Sequence, residues 1–272
     1  VLSRLLQHRR QVPRILWQQL RFAAARCGVG LTRNERFLSD LRDQYAGRRA
    51  FIIGNGPSLR MADLDALDGE ICFGANRIYL AFPHTRWRPT FLAAEDPLMI
   101  RGSLEELAEL ELIRFFPEDA RRYFAHWKSS TFPMLFLPYF HPSSPRFSRN
   151  ILHRIYWGGT VVFSLMQLAW HMGIRELYLI GMDHSFMMEE DGGHPQQAIQ
   201  DRGEVNHFHP AYRKSGEFWY PPDVAWQEES FVVARQVFEA SGGKIRNATR
   251  GGKLEVFERV DFDALVSEER FS

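Results

Sequence analysis

Residues 50–59, "AFIIGNGPSL", decide the fold. Ala50 to Ile53 are apolar on both faces, the pattern of a parallel strand covered by helices on each side. Gly54 and Gly56 permit a sharp turn and let a ligand approach the main chain. Pro57 or Ser58 then opens a helix, with Ser58 as its N-cap. A helix N-terminus at the carboxyl end of a strand presents unpaired N–H groups, which favour an anion such as phosphate. The plainer reading of the same residues is an ordinary tight strand-to-helix turn. The turn is not Gly-x-Gly-x-x-Gly and lacks the Lys-Ser/Thr of a P-loop, so neither standard nucleotide fingerprint applies.

Outward from this turn the pattern alternates. Strands are expected at 50–54, 70–75, 90–94, 112–116, 133–137, 176–181 and 243–247. Helices are expected between them at 58–67, 103–109, 117–127, 159–172 and 224–241. Alternation of this kind predicts an α/β fold, a Rossmann-like, doubly wound, mostly parallel sheet whose ligands bind at the carboxyl ends of strands. Three more strand ends carry polar groups: Asn76 in "CFGANR", Glu95 and Asp96 in "FLAAEDP", and Asp183 and His184 in "LIGMDHSF". Gly158, Gly159 and Thr160 open the apolar helix before the last of these. Residues 184–223 break the alternation with several prolines and aromatics and a cluster of histidines. A loop of that length in a compact domain is read as a lid over the substrate.

The N-terminal segment stands apart: residues 1–34 hold seven arginines and no acid. Leu2, Leu5 and Leu6, then Ile15, Leu16, Trp17, Leu20 and Phe22, give two amphipathic helical stretches split by Pro13. Such a segment either packs its apolar stripe on the body or makes peripheral contact with an anionic membrane surface. The chain therefore divides into a basic helical extension, 1–47, and a Rossmann-like domain, 48–272. With 45% hydrophobic residues and a formal net charge of +1, nothing indicates bulk attraction to nucleic acid. No apolar run is long enough to span a bilayer, and arginines stand where a leader peptide would carry its apolar core. Two cysteines in unlike contexts, Cys27 and Cys72, fit a reducing cytoplasm better than a disulfide framework. The expected place is cytoplasmic, at the inner face of the membrane if the extension binds there. A homo-oligomer is compatible with the sequence.

Taken together, "GNGPSL", the Asn after the second strand, the Gly-rich helix start and "LAWHMGIRELYLIGMDHSF" resemble two related groups. One is the bacterial sialyltransferases of glycosyltransferase family 42. The other, closer, is the MptE-like proteins named for a 6-hydroxymethylpterin diphosphokinase, which "VNHFHPAYRKSGEFW" and "KIRNATRGGKLEVFERVDFDAL" also resemble. The resemblance spans about residues 48–266. It implies that Asn55 and Asn76 contact a CMP-sugar, with the surrounding Gly54, Gly56, Pro57 and Ser58. It implies that Gly158, Gly159 and Thr160 contact the donor, and that Asn247 and Thr249, flanking Ala248, hold the nucleotide base. A lid histidine, His207 or His209, is implied as the base, with His184 beside Asp183 in the stretch where the sialyltransferases place tyrosines. No Tyr stands there, and the arginine ahead of their Gly-rich turn has no clear counterpart in "HRIYWGGT".

The expected function is therefore glycosyl transfer from a CMP-activated, nonulosonate-type donor to a glycan or lipid-linked acceptor in surface polysaccharide synthesis. A neutral-pKa histidine suits removal of the acceptor proton, and helix N–H groups suit the departing phosphate without a metal. The rival is diphosphate transfer from ATP, which needs Mg²⁺ held by carboxylates such as Glu95, Asp96 and Asp183. A third class is a nucleotide- or glycan-binding module without turnover. "NHFHP" offers two histidines on one face of an extended chain, but no third ligand stands nearby, and no metal is expected there. His171, inside an apolar helix, reads as a packed side chain.

Overall fold

A computed structural model describes residues 15–127, 132–186, 197–200, 205–214 and 216–267. The first N-terminal stretch and Pro13 lie outside the described residues, as does part of the segment read as a lid.

The central sheet has eight strands: β1 (Arg49–Ile53), β2 (Ile71–Ala75), β3 (Phe91–Ala93), β4 (Ile113–Pro117), β5 (Met134–Leu137), β8 (Glu176–Ile180), β11 (Lys244–Asn247) and β12 (Glu258–Arg259). Their spatial order is β12-β11-β8-β1-β2-β3-β4-β5, and every pairing within the sheet is parallel. The chain runs outward from β1 to β5, then returns across the sheet to β8 on the other side of β1. The order therefore reverses between β1 and β8, where doubly wound sheets open a crevice at their carboxyl edge. Two small ribbons lie outside it: β6 (Tyr139–Phe140) with β7 (Ile155–Tyr156), and β9 (Ile199–Gln200) with β10 (Phe218–Trp219).

Both faces of the sheet are buried, which is why its strands read as continuous apolar runs rather than alternating ones. Ala50 and Ile52 point into one core, Phe51 and Ile53 into the other. The first core is covered by α2 (Arg33–Asp40), α6 (Val161–His171) and α7 (Val224–Glu239). The second is covered by α3 (Met61–Asp65), α4 (Pro97–Gly102), α5 (Leu104–Glu109) and α8 (Phe262–Ser267), with 3₁₀ turns at Ile78–His84 and Glu118–Arg122. All eleven residues of α6 are buried, including His171, whose Nε2 lies 2.8 Å from the Leu38 carbonyl oxygen. Burial lowers the pKa of His171 to about 4, so it packs as a neutral ring.

Several sequence expectations need correction. Residues 117–127 form a 3₁₀ turn and further turns rather than a helix. α2 belongs to the body although it falls within the expected extension. Leu38 is buried in the core, Asn34 bonds to the β5 backbone at Phe136, and a capping box joins Thr32 and Glu35. The helix that precedes it, α1 (residues 15–26), lays Phe22 against His153 but leaves Ile15, Leu16, Trp17 and Leu20 exposed. No helix among the described residues is long and apolar enough to cross a membrane.

Candidate functional site

The carboxyl edge of the sheet opens into a cleft with two adjoining chambers. The inner one, about 170 Å³, sits at the switch point. Its walls include Gly54, Asn55 and Gly56 after β1, Asn76 after β2, Thr160 at the start of α6, and Asp183 and His184 after β8. Asn206, His207, Tyr212, Arg213, Trp219 and Tyr220 of the segment before α7 close it. The outer chamber, about 880 Å³, lies over the ends of β3 and β4. Asn76, Thr160, Val161, Tyr220 and Gln227 belong to both walls, so the two spaces are continuous.

The β1 turn is built differently from the sequence expectation. Neither Gly54 nor Gly56 has a positive φ. What they supply is room for the β8 turn. A Cβ on Gly54 would meet the Gly181 carbonyl, and one on Gly56 would overlap the Asp183 carboxylate. Gly54 N donates to Ile180 O and Gly56 N to Gly181 O, both at 2.8 Å. Ser58 caps no helix. α3 begins three residues later, at Met61, with no side-chain cap, and is five residues long. Ser58 instead gives its backbone N–H (3.2 Å) and its hydroxyl (2.7 Å) to Asp183. A protein carboxylate thus already occupies the anion position that the sequence reserves for phosphate. Pro57 and Ser58 do not line the cleft.

Asn55 turns inward. Its Nδ2 donates to Ala75 O at 2.8 Å, which fixes the amide's orientation, and its buried Oδ1 has no partner. Asn76 sits in the left-handed region (φ 47°), its N–H bonded to Ala93 O at 2.8 Å, and its Oδ1 is likewise buried without a partner. Both asparagines line the inner chamber, and unmade hydrogen bonds at buried oxygens cost stability unless a partner completes them.

The second glycine turn serves α6. Thr160 caps the helix, accepting from Val162 N at 3.4 Å. Gly159 adopts φ 78°, and its carbonyl accepts from Gln227 Nε2 at 2.9 Å. Gly158 lies against the Phe163 ring and does not line the cleft, whereas Gly159 lines the outer chamber. The positive end of an eleven-residue helix thus faces both chambers at Thr160 and Val161.

The histidines separate. His207 lines the inner chamber, its ring stacked on Tyr212 at 3.6 Å and 8°. His209 lies outside the cleft near His84, and its Nδ1 accepts from Ala211 N. His184, with a nearly inaccessible side chain, lies 3.2 Å from Glu228. Burial lowers its pKa, opposed by that carboxylate. The covering segment is pinned to the body. Phe208 N donates to Asn55 O (2.8 Å), and buried Arg77 clasps Glu217 in two bonds of 2.8 and 2.6 Å while donating to Tyr212 O.

In the outer chamber, Glu95 accepts from Ser164 Oγ at 2.7 Å. Burial pushes its carboxyl up to about 7, with neighbouring Asp96 adding to the rise and hydrogen bonds from Ser164 and Tyr139 opposing it. Asp96 caps α4, accepting from Leu98 N and Met99 N. Tyr123, Tyr139, Trp157 and Tyr220 add aromatic surface, and Glu118, Asp119 and Asp223 add carboxylates. No lysine or arginine among the described residues lines this chamber. Tyr139, Ser164 and Arg213 are cleft contributors that reading single strand ends misses.

Asn247 and Thr249, expected to hold a base, are spent inside the fold. Asn247 Nδ2 donates to Leu254 O (2.9 Å), and its Oδ1 accepts from Thr249 N (3.0 Å). Thr249 Oγ1 accepts from Met182 N at 3.0 Å. Both brace the β8 turn from behind.

The three carboxylates named for a Mg²⁺ site do not converge. Asp183 lines only the inner chamber, and Glu95 and Asp96 only the outer. Asp183 is already engaged by Ser58, and Asp96 by α4. Among the described residues no group of three or more His, Cys, Asp or Glu side chains is placed to hold a metal ion.

With this geometry in hand, comparison with known proteins gives one assignment. The chain belongs to the family described as 6-hydroxymethylpterin diphosphokinase MptE-like, whose model matches residues 30–189, more than half of the 272. The match runs from just before α2 through the β8 turn and takes in both glycine turns; residues 205–223 and the C-terminal strands lie beyond it. No curated protein and no solved structure gives a match.

Proposed function

We propose that the chain is a nucleotide-dependent transferase, with the nucleotide of an activated donor in the inner chamber and the acceptor in the outer one. The observation that carries this is the pair of unpartnered amide oxygens, of Asn55 and Asn76, at the switch point. Such oxygens only accept hydrogen bonds, so they suit the amino and hydroxyl groups of a nucleoside rather than its phosphate. For the phosphate, Arg213 and the start of α6 supply positive potential along the same walls.

The finer reading takes the donor as a CMP-activated, nonulosonate-type sugar and the acceptor as a glycan, free or lipid-linked, in surface polysaccharide synthesis. Its support is the likeness of "GNGPSL" and the Gly-rich helix start to family 42 sialyltransferases. The acceptor oxygen attacks the anomeric carbon. The bond from that carbon to the phosphate oxygen breaks, its electron pair leaving with CMP, and the acceptor proton passes to His207, the lid-segment histidine that faces the cleft. The outer chamber suits an uncharged, polyhydroxylated acceptor: rings stack on sugar faces, and carboxylates accept from hydroxyls. No metal enters this account.

A second reading follows from the family's description, diphosphate transfer from ATP with Mg²⁺. The divided carboxylates do not fit such an ion. A binding module without turnover is the third. One panel separates them: thermal shifts of the full chain with CMP, CDP, UDP, GDP and ATP, each with and without Mg²⁺. CMP should give the largest shift, unchanged by Mg²⁺. A shift confined to ATP with Mg²⁺ would replace the finer reading by the second, and no shift with any nucleotide would remove the proposal altogether. His207→Ala should lower CMP-sugar turnover by about 10²–10⁴-fold while CMP binding persists.

A further inference from the structure

α1 meets the body through few side chains. Phe22 lies edge-on to His153, ring centroids 4.4 Å apart. Arg21 pairs with Glu35 (2.7 Å) and reaches Glu118 (3.5 Å), and Ala25 is buried in the core. Ala25 O also accepts from Asn150 Nδ2 at 2.8 Å. Four other large apolar side chains are uncovered: Ile15, Leu16, Trp17 and Leu20 are 51, 59, 47 and 55% exposed. Helical spacing sets Leu16 and Leu20 opposite Arg21 and Ala25, with Trp17 one turn before Arg21 and Ile15 on the same side as the exposed Arg26. Burying one leucine is worth about 1.5–3 kcal/mol, so four such side chains in water are a standing cost unless something covers them.

We propose that this face of α1 docks the protein on an anionic lipid surface. Charge complementarity selects that occupant. Residues 1–34 carry seven arginines and no acid, so the segment that holds the apolar face is basic. A second copy would set the same patch against itself across a two-fold axis, bringing like charges together. Anionic headgroups meet the arginines, and the acyl boundary takes leucine, isoleucine and tryptophan, the composition of helices that lie in the membrane plane. No helix among the described residues is long and apolar enough to cross a membrane, and the proposed contact is with the lipid surface.

The position has a consequence for the cleft. The groove beneath α1 and the outer chamber share Glu118 and Pro138 in their walls. A protein seated by α1 therefore brings its outer chamber close to the lipid, where a lipid-linked acceptor would be presented. This last step rests on the proposed function; the docking itself does not.

The test is co-sedimentation of the full chain with phosphatidylcholine vesicles, with and without phosphatidylglycerol, at low and high salt. Leu16→Asp/Leu20→Asp is the paired variant; both positions are exposed, and circular dichroism checks the fold. The expected result is sedimentation only with phosphatidylglycerol, weakened by salt, and reduced about tenfold or more in the variant. Absence of sedimentation, or equal sedimentation of the variant, overturns the proposal. So does concentration-dependent self-association in sedimentation velocity that the same substitutions abolish, because the face then belongs to a second copy. CMP titration of the same preparations reads the proposed function separately and is expected to be unaltered by the two substitutions.

Discussion

Two glycine turns of similar composition lead from a strand into a helix in this molecule, and they do opposite things. After β1, Gly54-Asn55-Gly56-Pro57-Ser58 folds back onto the β8 turn, and its hydrogen-bond donors at Ser58 are consumed by Asp183. The helix that follows is short and starts late. Before α6, Gly158-Gly159-Thr160 leads at once into a capped helix of eleven residues whose first turn faces the cleft. A glycine-rich turn before a helix is thus not in itself an anion site. What decides is whether another carboxylate has already taken its N–H groups. In the first turn the polar group left over is Asn55, whose side chain carries an unpartnered oxygen.

The contrast breaks most readily at Gly56. A side chain there must displace the Asp183 carboxylate and crowd the Gly181 carbonyl, so Gly56→Ala should cost about 3–5 kcal/mol in urea unfolding. A loss below 1 kcal/mol would mean that the two turns are not locked together.

Next in size is a paired substitution that sharpens the difference. Asp183→Asn removes the charge from the bonds to Ser58 and should cost about 1.5–3 kcal/mol of stability. Thr160→Ala should cost about 1 kcal/mol as a lost cap, and should also weaken nucleotide binding. If the Asp183 variant gains affinity for inorganic phosphate while the Thr160 variant binds nucleotide normally, the roles assigned to the two turns are reversed.

A smaller effect tests the floor of the outer chamber, where α6 holds Glu95 through Ser164. The carboxyl has a folded pKa of about 7 against an ordinary value of 4.5. Between those values the unfolded chain has released a proton that the folded chain keeps, so the contribution is complete below pH 4.5 and is lost as pH rises through 7. Glu95→Gln, which cannot ionise, should therefore gain about 1–2 kcal/mol relative to the parent between acid and mildly alkaline pH. Parallel stability–pH curves for the two proteins would show that the fold does not raise the Glu95 carboxyl.

How much of this could be read from the sequence follows from distance along the chain. The seven predicted strands recur within one or two residues of their expected places because runs such as Phe51–Ile53 and Leu177–Ile180 are apolar on both faces, a local signal. α2 carried a local signal too, the Thr32–Glu35 capping box, which the charge pattern of the N-terminus obscured. The two-residue strands of the small ribbons are too short to show any period. The site was legible as a set of strand ends but not as a set of bonds. Ser58 and Asp183 lie 125 residues apart, Arg77 and Glu217 140, and Glu95 and Ser164 69. Only tertiary packing shows which donors are already spent. The same holds for His207 and His209, two residues apart in sequence and on different sides of the cleft wall.

The inner chamber as a nucleotide site is tested most directly by calorimetric titration of CMP into the full chain and into its Asn55→Ala variant. The substitution removes the orphan acceptor and the bond to Ala75 O, so the fold should lose only about 1 kcal/mol. CMP affinity should fall about tenfold or more, the worth of one well-placed hydrogen bond in a desolvated site. Unchanged affinity in a folded variant would place the nucleotide elsewhere and contradict the account.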